Sequence, residues 1–100
     1  MVMSKPGPKI AKKFVIKGRV QGVGFRFFAE RWASLLDVCG YVKNLWNGDV
    51  EVYAIGEAPA LEELKRHLAA GPRSAHVTAL DESDERVDKG YNRFVIEGGW

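Results

Sequence analysis

Three glycines followed by an arginine form the part of this sequence best suited to binding an anion. Gly18, Gly22 and Gly24 lie between a β-branched, aromatic segment and a segment with helical spacing, and Arg26 follows directly. Glycine lets the backbone turn sharply, so that N–H groups can converge on one point. A helix start adds unpaired N–H donors and partial positive charge. Together these features favour a ligand with several anionic oxygens, such as a phosphate.

Arg26 conflicts with the electrostatics of the helix in which it is predicted to lie. A cation in the first turn opposes the helix dipole at a cost of about 0.3–1 kcal/mol, and a bound phosphate would reverse the sign of that conflict. A guanidinium can also bind two phosphate oxygens at once, which an ammonium cannot. From these features alone, a plain connecting loop with a surface arginine stays open as the alternative.

Other phosphate-binding motifs are not matched by this loop. A dinucleotide fingerprint built on Gly22 and Gly24 would need a glycine where Phe27 stands, and a nucleotide P-loop would need Gly-Lys-Ser/Thr. No arginine follows Cys39 at the spacing of a cysteine-dependent phosphatase loop. The site is therefore interpreted as a phosphate-binding loop of another kind.

A strand and a helix are predicted on either side of the loop. Residues 13–17 are β-branched and aromatic and read as a strand. After the loop, apolar residues recur at three- and four-residue steps, which predicts one face of an amphipathic helix. That stripe consists of Phe25, Phe28, Ala29, Trp32, Leu35 and Leu36.

A hairpin and a second helix follow. Residues 41–46 and 50–55 have strand composition, and Asn47-Gly48 between them favours a tight turn. Pro59 is suited to the first turn of a helix, where its missing N–H is not needed. The predicted buried stripe of that helix is Leu61, Leu64 and Leu68.

Two further strands complete the predicted fold. They are residues 77–80 and 94–96, and the acidic stretch of residues 81–88 between them is expected to be a solvated loop or a frayed strand end. The order strand, helix, strand, strand, helix, strand is the split βαβ arrangement. We therefore predict an α+β, ferredoxin-like sandwich, with two helices on one face of an antiparallel sheet and an added C-terminal strand.

Bulk properties limit the class of protein. The chain has 100 residues and a net charge of +2, with basic and acidic residues mixed, which does not indicate a nucleic-acid partner. Residues 1–11 are expected to be a flexible N-terminal tail and residues 12–100 one domain. A single cysteine, Cys39, and the lack of a long apolar segment predict a cytoplasmic protein without membrane contact. His67 and His76 lack partners at ligand spacing, so no metal site is expected.

Two segments resemble the signatures of the acylphosphatase family. GRVQGVGFR at residues 18–26 resembles the first signature, and GYVKN at residues 40–44 resembles the second. NGDVEV at residues 47–52 and YNRFVI at residues 91–96 also fit the family. The resemblance extends over residues 12–96, and the family has the ferredoxin-like fold expected from the order of elements.

The resemblance implies an enzyme that hydrolyses acyl phosphates to a carboxylate and inorganic phosphate. Arg26 would bind the phosphoryl group and Asn44 would orient the attacking water. No metal and no cofactor would be needed, the partner would be a small-molecule acyl phosphate, and the protein would be a monomer. The backbone N–H groups that would help to bind phosphate are those of Val20, Gln21, Gly22, Val23, Gly24 and Phe25.

This set of residues suffices for the chemistry. An acyl phosphate has a carboxylate leaving group, which departs readily as an anion, so a general acid is not obligatory. Phosphoryl transfer depends mostly on positioning and on stabilising charge on the phosphoryl oxygens. Asn44 cannot act as a base, but it can hold a water in line with phosphorus. We hypothesise that the water's proton passes to a phosphoryl oxygen of the substrate. Without the resemblance, Asn44 would be interpreted as a turn residue.

Three alternatives remain at this stage. The site could serve a hydrolase specific for carbamoyl phosphate, or a non-catalytic phosphate-binding module. An RNA-recognition domain has the same order of elements but needs aromatic residues on a central strand. Residues 50–55 offer only Tyr53 and carry Glu51, which argues against that reading.

Overall fold

The elements of the computed structural model, which describes residues 7–98, follow one another in the order expected from the sequence. Two helices alternate with strands as in a split βαβ arrangement. The elements are β1 (Lys9–Arg19), α1 (Phe25–Leu35), β2 (Cys39–Asn44), β3 (Val50–Glu57), α2 (Ala58–Ala70), β4 (His76–Glu85) and β5 (Phe94–Glu97).

The strands form one sheet in the order β4-β1-β3-β2-β5. The pairs β1–β3, β1–β4 and β2–β3 are antiparallel, as predicted. The added strand β5 runs parallel to β2, so the complete sheet is mixed rather than antiparallel. The ferredoxin-like α+β arrangement is confirmed, and β5 extends it at the β2 edge.

The main core lies between the helices and one face of the sheet. Helix α1 packs on β2 and β5, whereas α2 packs on β1, β3 and β4. The predicted stripe of α2 is confirmed, since Leu61, Leu64 and Leu68 are buried. In α1 the prediction for Leu35 is wrong, because its side chain is 67% exposed and Ala33 is buried instead. Leu35 ends the helix on the side that faces away from the sheet.

The predicted boundary of the N-terminal tail is too late. Strand β1 begins at Lys9, and Lys9 to Ala11 pair with residues 55–57 of β3. The amide N–H of Gly7 also donates to Oε1 of Glu57 at 2.8 Å. Three residues assigned to the tail therefore belong to the sheet, because the long β3 offers them backbone partners. Residues 1–6 of the predicted tail lie outside the described residues.

More than half of the acidic stretch of residues 81–88 belongs to a strand, where a solvated loop or a frayed strand end was expected. Residues 81–85 continue β4 and pair with residues 11–15 of β1. Glu82 accepts from Nζ of Lys12 at 2.6 Å and forms an ion pair with Lys65 at 2.8 Å. Because these cations neutralise the acids, the charged strand is stable at the edge of the sheet, where charge is well tolerated.

Candidate active site

The loop between β1 and α1 depends on glycine at two positions. Gly22 has φ 73° and Gly24 has φ 79°, both in the left-handed region that other residues rarely adopt. A Cβ at either position would meet no atom within 4 Å, so backbone conformation and not space requires glycine. The backbone changes direction at these two residues, and α1 begins directly after Gly24.

The start of α1 leaves backbone donors unpaired. Its N-cap, Gly24, has no side chain to cap the helix, and no acidic residue lies in the first turn. Phe28 makes the first helical bond, from its N–H to the Gly24 carbonyl at 3.1 Å. The N–H groups of the residues before Phe28 therefore have no intrahelical acceptor. Such a helix start is suited to an anion.

Arg26 lies in this first turn, as predicted, and its guanidinium is anchored by the other end of the chain. Nη1 donates to the carbonyl oxygens of Glu97 at 3.1 Å and Gly98 at 2.9 Å. Both bonds use Nη1, and a guanidinium also carries donors on Nε and on the second terminal nitrogen. This anchor was not foreseen, because nothing local in the sequence links Arg26 to the end of β5.

Asn44 is the last residue of β2 and points to the helix side of the sheet. It is 6% exposed and is the one buried polar residue among those described. Burial in β2 alternates, with Gly40, Val42 and Asn44 buried and the residues between them partly exposed. Asn44 therefore occupies a position where the strand pattern calls for an apolar side chain. That departure is a signal that reasoning from the sequence could have used.

One pocket of about 210 Å³ brings these elements together. Arg26 and Asn44 both line it, so the carboxamide and the guanidinium lie on the same side of the sheet. Phe27 also lines the pocket and was missed in the sequence analysis. Among residues 7–98, the lining is Val20, Gln21, Gly22, Gly24, Phe25, Arg26, Phe27 and Asn44.

Val23 is the one predicted phosphate-binding residue that is absent from this lining. Its side chain packs against the main core, and its carbonyl accepts a hydrogen bond from Oγ of Ser74 at 3.2 Å. Val23 therefore anchors the loop to the body of the protein.

Gln21 connects the loop to the hairpin that follows Asn44. Its Nε2 donates to the carbonyl oxygens of Leu45 at 2.7 Å and Asp49 at 2.8 Å. The same hairpin is closed by a bond from the N–H of Leu45 to the Asp49 carbonyl at 2.8 Å. The side chain of Gln21 thus holds the two halves of the pocket in register, a contact that the backbone prediction for this residue did not include.

Residues 7–98 lack the features of two other kinds of site, a membrane-spanning helix and a metal centre. Neither helix in this range has the length and apolarity that crossing a bilayer requires. The same residues contain no cluster of three or more His, Cys, Asp or Glu side chains arranged to hold a metal ion.

Comparisons with known proteins agree with this fold and pocket. The family model described as acylphosphatase matches residues 12–96. An acylphosphatase of Solibacter usitatus is 42% identical over 96 residues, which cover 96% of this chain and 99% of the relative. An acylphosphatase of Vibrio vulnificus is 45% identical over 85 residues, covering 85% of this chain and 93% of the relative.

Solved structures show the same likeness. The acylphosphatase from Bacillus subtilis superposes with a TM-score of 0.85 and 34% identity, covering 89% of this chain and 99% of that one. Full-length HypF, in its phosphate- and nucleotide-bound form, has a TM-score of 0.82 and 26% identity, covering 95% of this chain but 12% of that one. The chain belongs to the acylphosphatase family, and the resemblance of its sequence signatures is confirmed.

Proposed function

We propose that the pocket binds the phosphoryl group of an acyl phosphate and that Asn44 positions the water that attacks phosphorus. The observation that carries this proposal is the shared pocket: Arg26, the glycine loop and the buried carboxamide of Asn44 line one cavity. The family to which the chain belongs gives the reaction class, and the geometry supports the assignment of roles.

Charge on the phosphoryl oxygens is stabilised from two sides. Arg26 offers donors on Nε and the second terminal nitrogen while Nη1 is anchored by Glu97 and Gly98, so the cation is fixed before substrate arrives. The N–H groups at the start of α1 and in the glycine loop face the same charge. Preorganised donors of this kind contribute strongly to catalysis, because they need no reorganisation during reaction.

The carboxamide oxygen of Asn44 accepts a hydrogen bond from the attacking water and aligns it with phosphorus. A new P–O bond forms to the water oxygen while the bond from phosphorus to the acyl oxygen breaks. The leaving group departs as a carboxylate, and the water's proton passes to a phosphoryl oxygen. No side chain of the pocket has to change its protonation state in this scheme.

The size of the pocket, about 210 Å³, suits a small-molecule substrate, and action as a monomer is part of the proposal. A cytoplasmic location and independence from metal are parts of the same proposal. Independence from metal follows from the good leaving group and from the donor set of the pocket. That set is cationic and rich in N–H groups, so it suits an anion and not a cation.

Hydrolysis of benzoyl phosphate in the presence of EDTA tests the proposal. We expect turnover by the wild type, with inorganic phosphate as a competitive inhibitor. Arg26→Ala should raise KM and lower kcat, since it removes the binding cation. Asn44→Ala should lower kcat by about 10²–10³-fold, the usual loss for a transition-state contact, and change phosphate inhibition little.

Matched controls come from exposed residues outside the pocket. Arg31→Ala removes a cation from the same helix, and Asn92→Ala removes a carboxamide from the surface; both should keep wild-type kinetics. Full kcat in Asn44→Ala would contradict the role assigned to Asn44. Phosphate binding without turnover of any acyl phosphate would indicate a non-catalytic module instead.

A further inference from the structure

Phe27 is a large apolar side chain exposed at the pocket. Four large apolar side chains of the described residues are exposed: Phe27 at 73%, Leu35 at 67%, Trp46 at 90% and Val87 at 39%. Of these four, Phe27 alone lines the pocket that contains Arg26 and Asn44. Its exposure therefore coincides with the site, whereas the other three lie outside that lining.

The remaining apolar lining cannot offer much surface to a ligand. Val20 and Phe25 also border the pocket, but they are 1% and 2% exposed because they belong to the main core. The other lining residues are glycines or carry polar side chains. Among the described residues, the ring of Phe27 thus supplies most of the accessible apolar area at the pocket.

Phe27 has no evident role in holding the fold together. Its neighbours in sequence, Phe25 and Phe28, pack against each other with ring centroids 5.8 Å apart. Phe27 takes part in no such ring contact with the described residues, and it lies outside both hydrophobic clusters. An exposed ring in the first turn of α1, directly after the phosphate-binding Arg26, is in a position to meet whatever is attached to the phosphoryl group.

We propose that Phe27 contacts the acyl group of the substrate and favours acyl phosphates with an aromatic or extended apolar acyl chain. This inference rests on the proposed function. When Arg26 and the loop hold the phosphoryl group, the acyl group is joined to it through a single oxygen and leaves the polar part of the pocket beside Phe27. An apolar acyl group there covers the exposed ring and removes water from both surfaces. Acetyl and carbamoyl groups are too small or too polar to gain as much binding free energy from covering the ring.

The test compares two substrates across matched variants. In Phe27→Ala, kcat/KM for benzoyl phosphate should fall by about 3–10-fold, the range expected for one aromatic contact. For acetyl phosphate it should change by less than about twofold, and inhibition by inorganic phosphate should be unchanged. Phe27→Leu should recover part of the preference. Leu35→Ala removes another exposed apolar side chain of α1. It should leave kcat/KM for both substrates at the wild-type value.

The outcomes separate this inference from the proposed function. If Phe27→Ala lowers kcat/KM for both substrates by the same factor, or changes neither value, the proposed acyl contact is wrong while acylphosphatase action stands. If the wild type hydrolyses neither substrate, the proposed function fails and the inference fails with it. Far-UV circular dichroism and the melting temperature should match the wild type, because an exposed side chain is removed.

Discussion

Asp37 adopts a backbone conformation that its residue type disfavours. It has φ 59° and is the one non-glycine residue of the described chain in the left-handed region. It follows the C-cap of α1, where the N–H of Val38 donates to the Ala33 carbonyl at 2.8 Å and that of Asp37 to the Ser34 carbonyl at 3.3 Å. This is the hydrogen-bond pattern of a Schellman motif, which normally has glycine at this position.

Replacing Asp37 by glycine should therefore stabilise the protein. We expect Asp37→Gly to raise the free energy of unfolding by about 0.5–1 kcal/mol, since the left-handed penalty is removed. Urea denaturation followed by circular dichroism measures the change. Asp37→Ala keeps the penalty and serves as the control. A glycine variant no more stable than the alanine variant would show that this backbone carries no strain.

The residues of the site were predictable from the sequence to different degrees. Arg26 was indicated both by its conflict with the helix dipole and by the family resemblance. Asn44 was indicated by the resemblance alone, although its place in the alternation after Val42 carried an independent signal. Phe27 was missed because an exposed aromatic residue has no pattern of its own. Its place beside the pocket appears only once β2 and α1 are packed together.

At the scale of elements, the pocket depends on how the glycine loop and the β2–β3 hairpin are joined. Gln21 makes that junction with two bonds from Nε2, to the Leu45 and Asp49 carbonyls. The hairpin is also held to β1, where Nζ of Lys17 pairs with Oδ2 of Asp49 at 3.1 Å. Loop and hairpin carry the phosphate-binding groups and Asn44, so the distance between those groups is set by this junction.

Loss of the Gln21 side chain should reduce catalysis more than stability. We expect Gln21→Ala to lower kcat about tenfold, because small errors in placing the water and the phosphoryl group reduce the rate strongly. The melting temperature should fall by only a few degrees. Gln21→Glu should be at least as impaired, since a carboxylate would face two carbonyl oxygens. Steady-state kinetics together with thermal unfolding measure both effects, and a kcat within twofold of wild type would contradict the junction role.

Strand edges were the elements least predictable from the sequence. Residues 81–85 have the composition of a solvated loop, yet they complete β4 because β1 pairs with them along its length. The stabilising cations, Lys12 and Lys65, come from another strand and from a helix. Such partners are distant in the sequence, so a local pattern cannot reveal them.

For the molecule as a whole, Glu82 links three elements. It pairs with Lys12 of β1 and Lys65 of α2 from its own position in β4. The hydrogen bonds from Lys12 and then Lys65 lower the pKa of Glu82 below its ordinary value of 4.5. The same contacts raise the pKa of both lysines above their ordinary value of 10.5.

The signs of these shifts define a pH window. A lowered acid pKa contributes stability that is present above about 4.5 and is lost as pH falls through the folded-state pKa. A raised lysine pKa contributes stability that is present below about 10.5 and is lost as pH rises through the folded-state value. The ion-pair network is therefore fully effective between these limits.

Glu82→Gln should be less stable than the wild type near pH 7, and the difference should disappear in strong acid. The effect should be small and should shrink at high salt, because the pairs are partly exposed. Urea denaturation across the pH range measures it, with Glu85→Gln at the end of the same strand as the control. A difference that persists well below pH 4 would mean that the network is not its source.

The overall arrangement of the sheet was predictable because the order of elements permits few topologies. The direction of β5 was not. It is a four-residue strand, and its parallel pairing with β2 depends on how the preceding connection crosses from β4 at the opposite edge. Neither hydrophobic alternation nor turn residues indicate that the connection from β4 to β5 crosses to the other edge of the sheet.

The anchoring of Arg26 has a consequence for the order in which the site is assembled during folding. Its two carbonyl acceptors lie 71 and 72 residues downstream. The contacts among the glycine loop, α1 and the β2–β3 hairpin join residues much closer in the sequence, so they can form before that anchor. The guanidinium stays unanchored until β5 docks beside β2, so a pairing of high sequence separation completes the site.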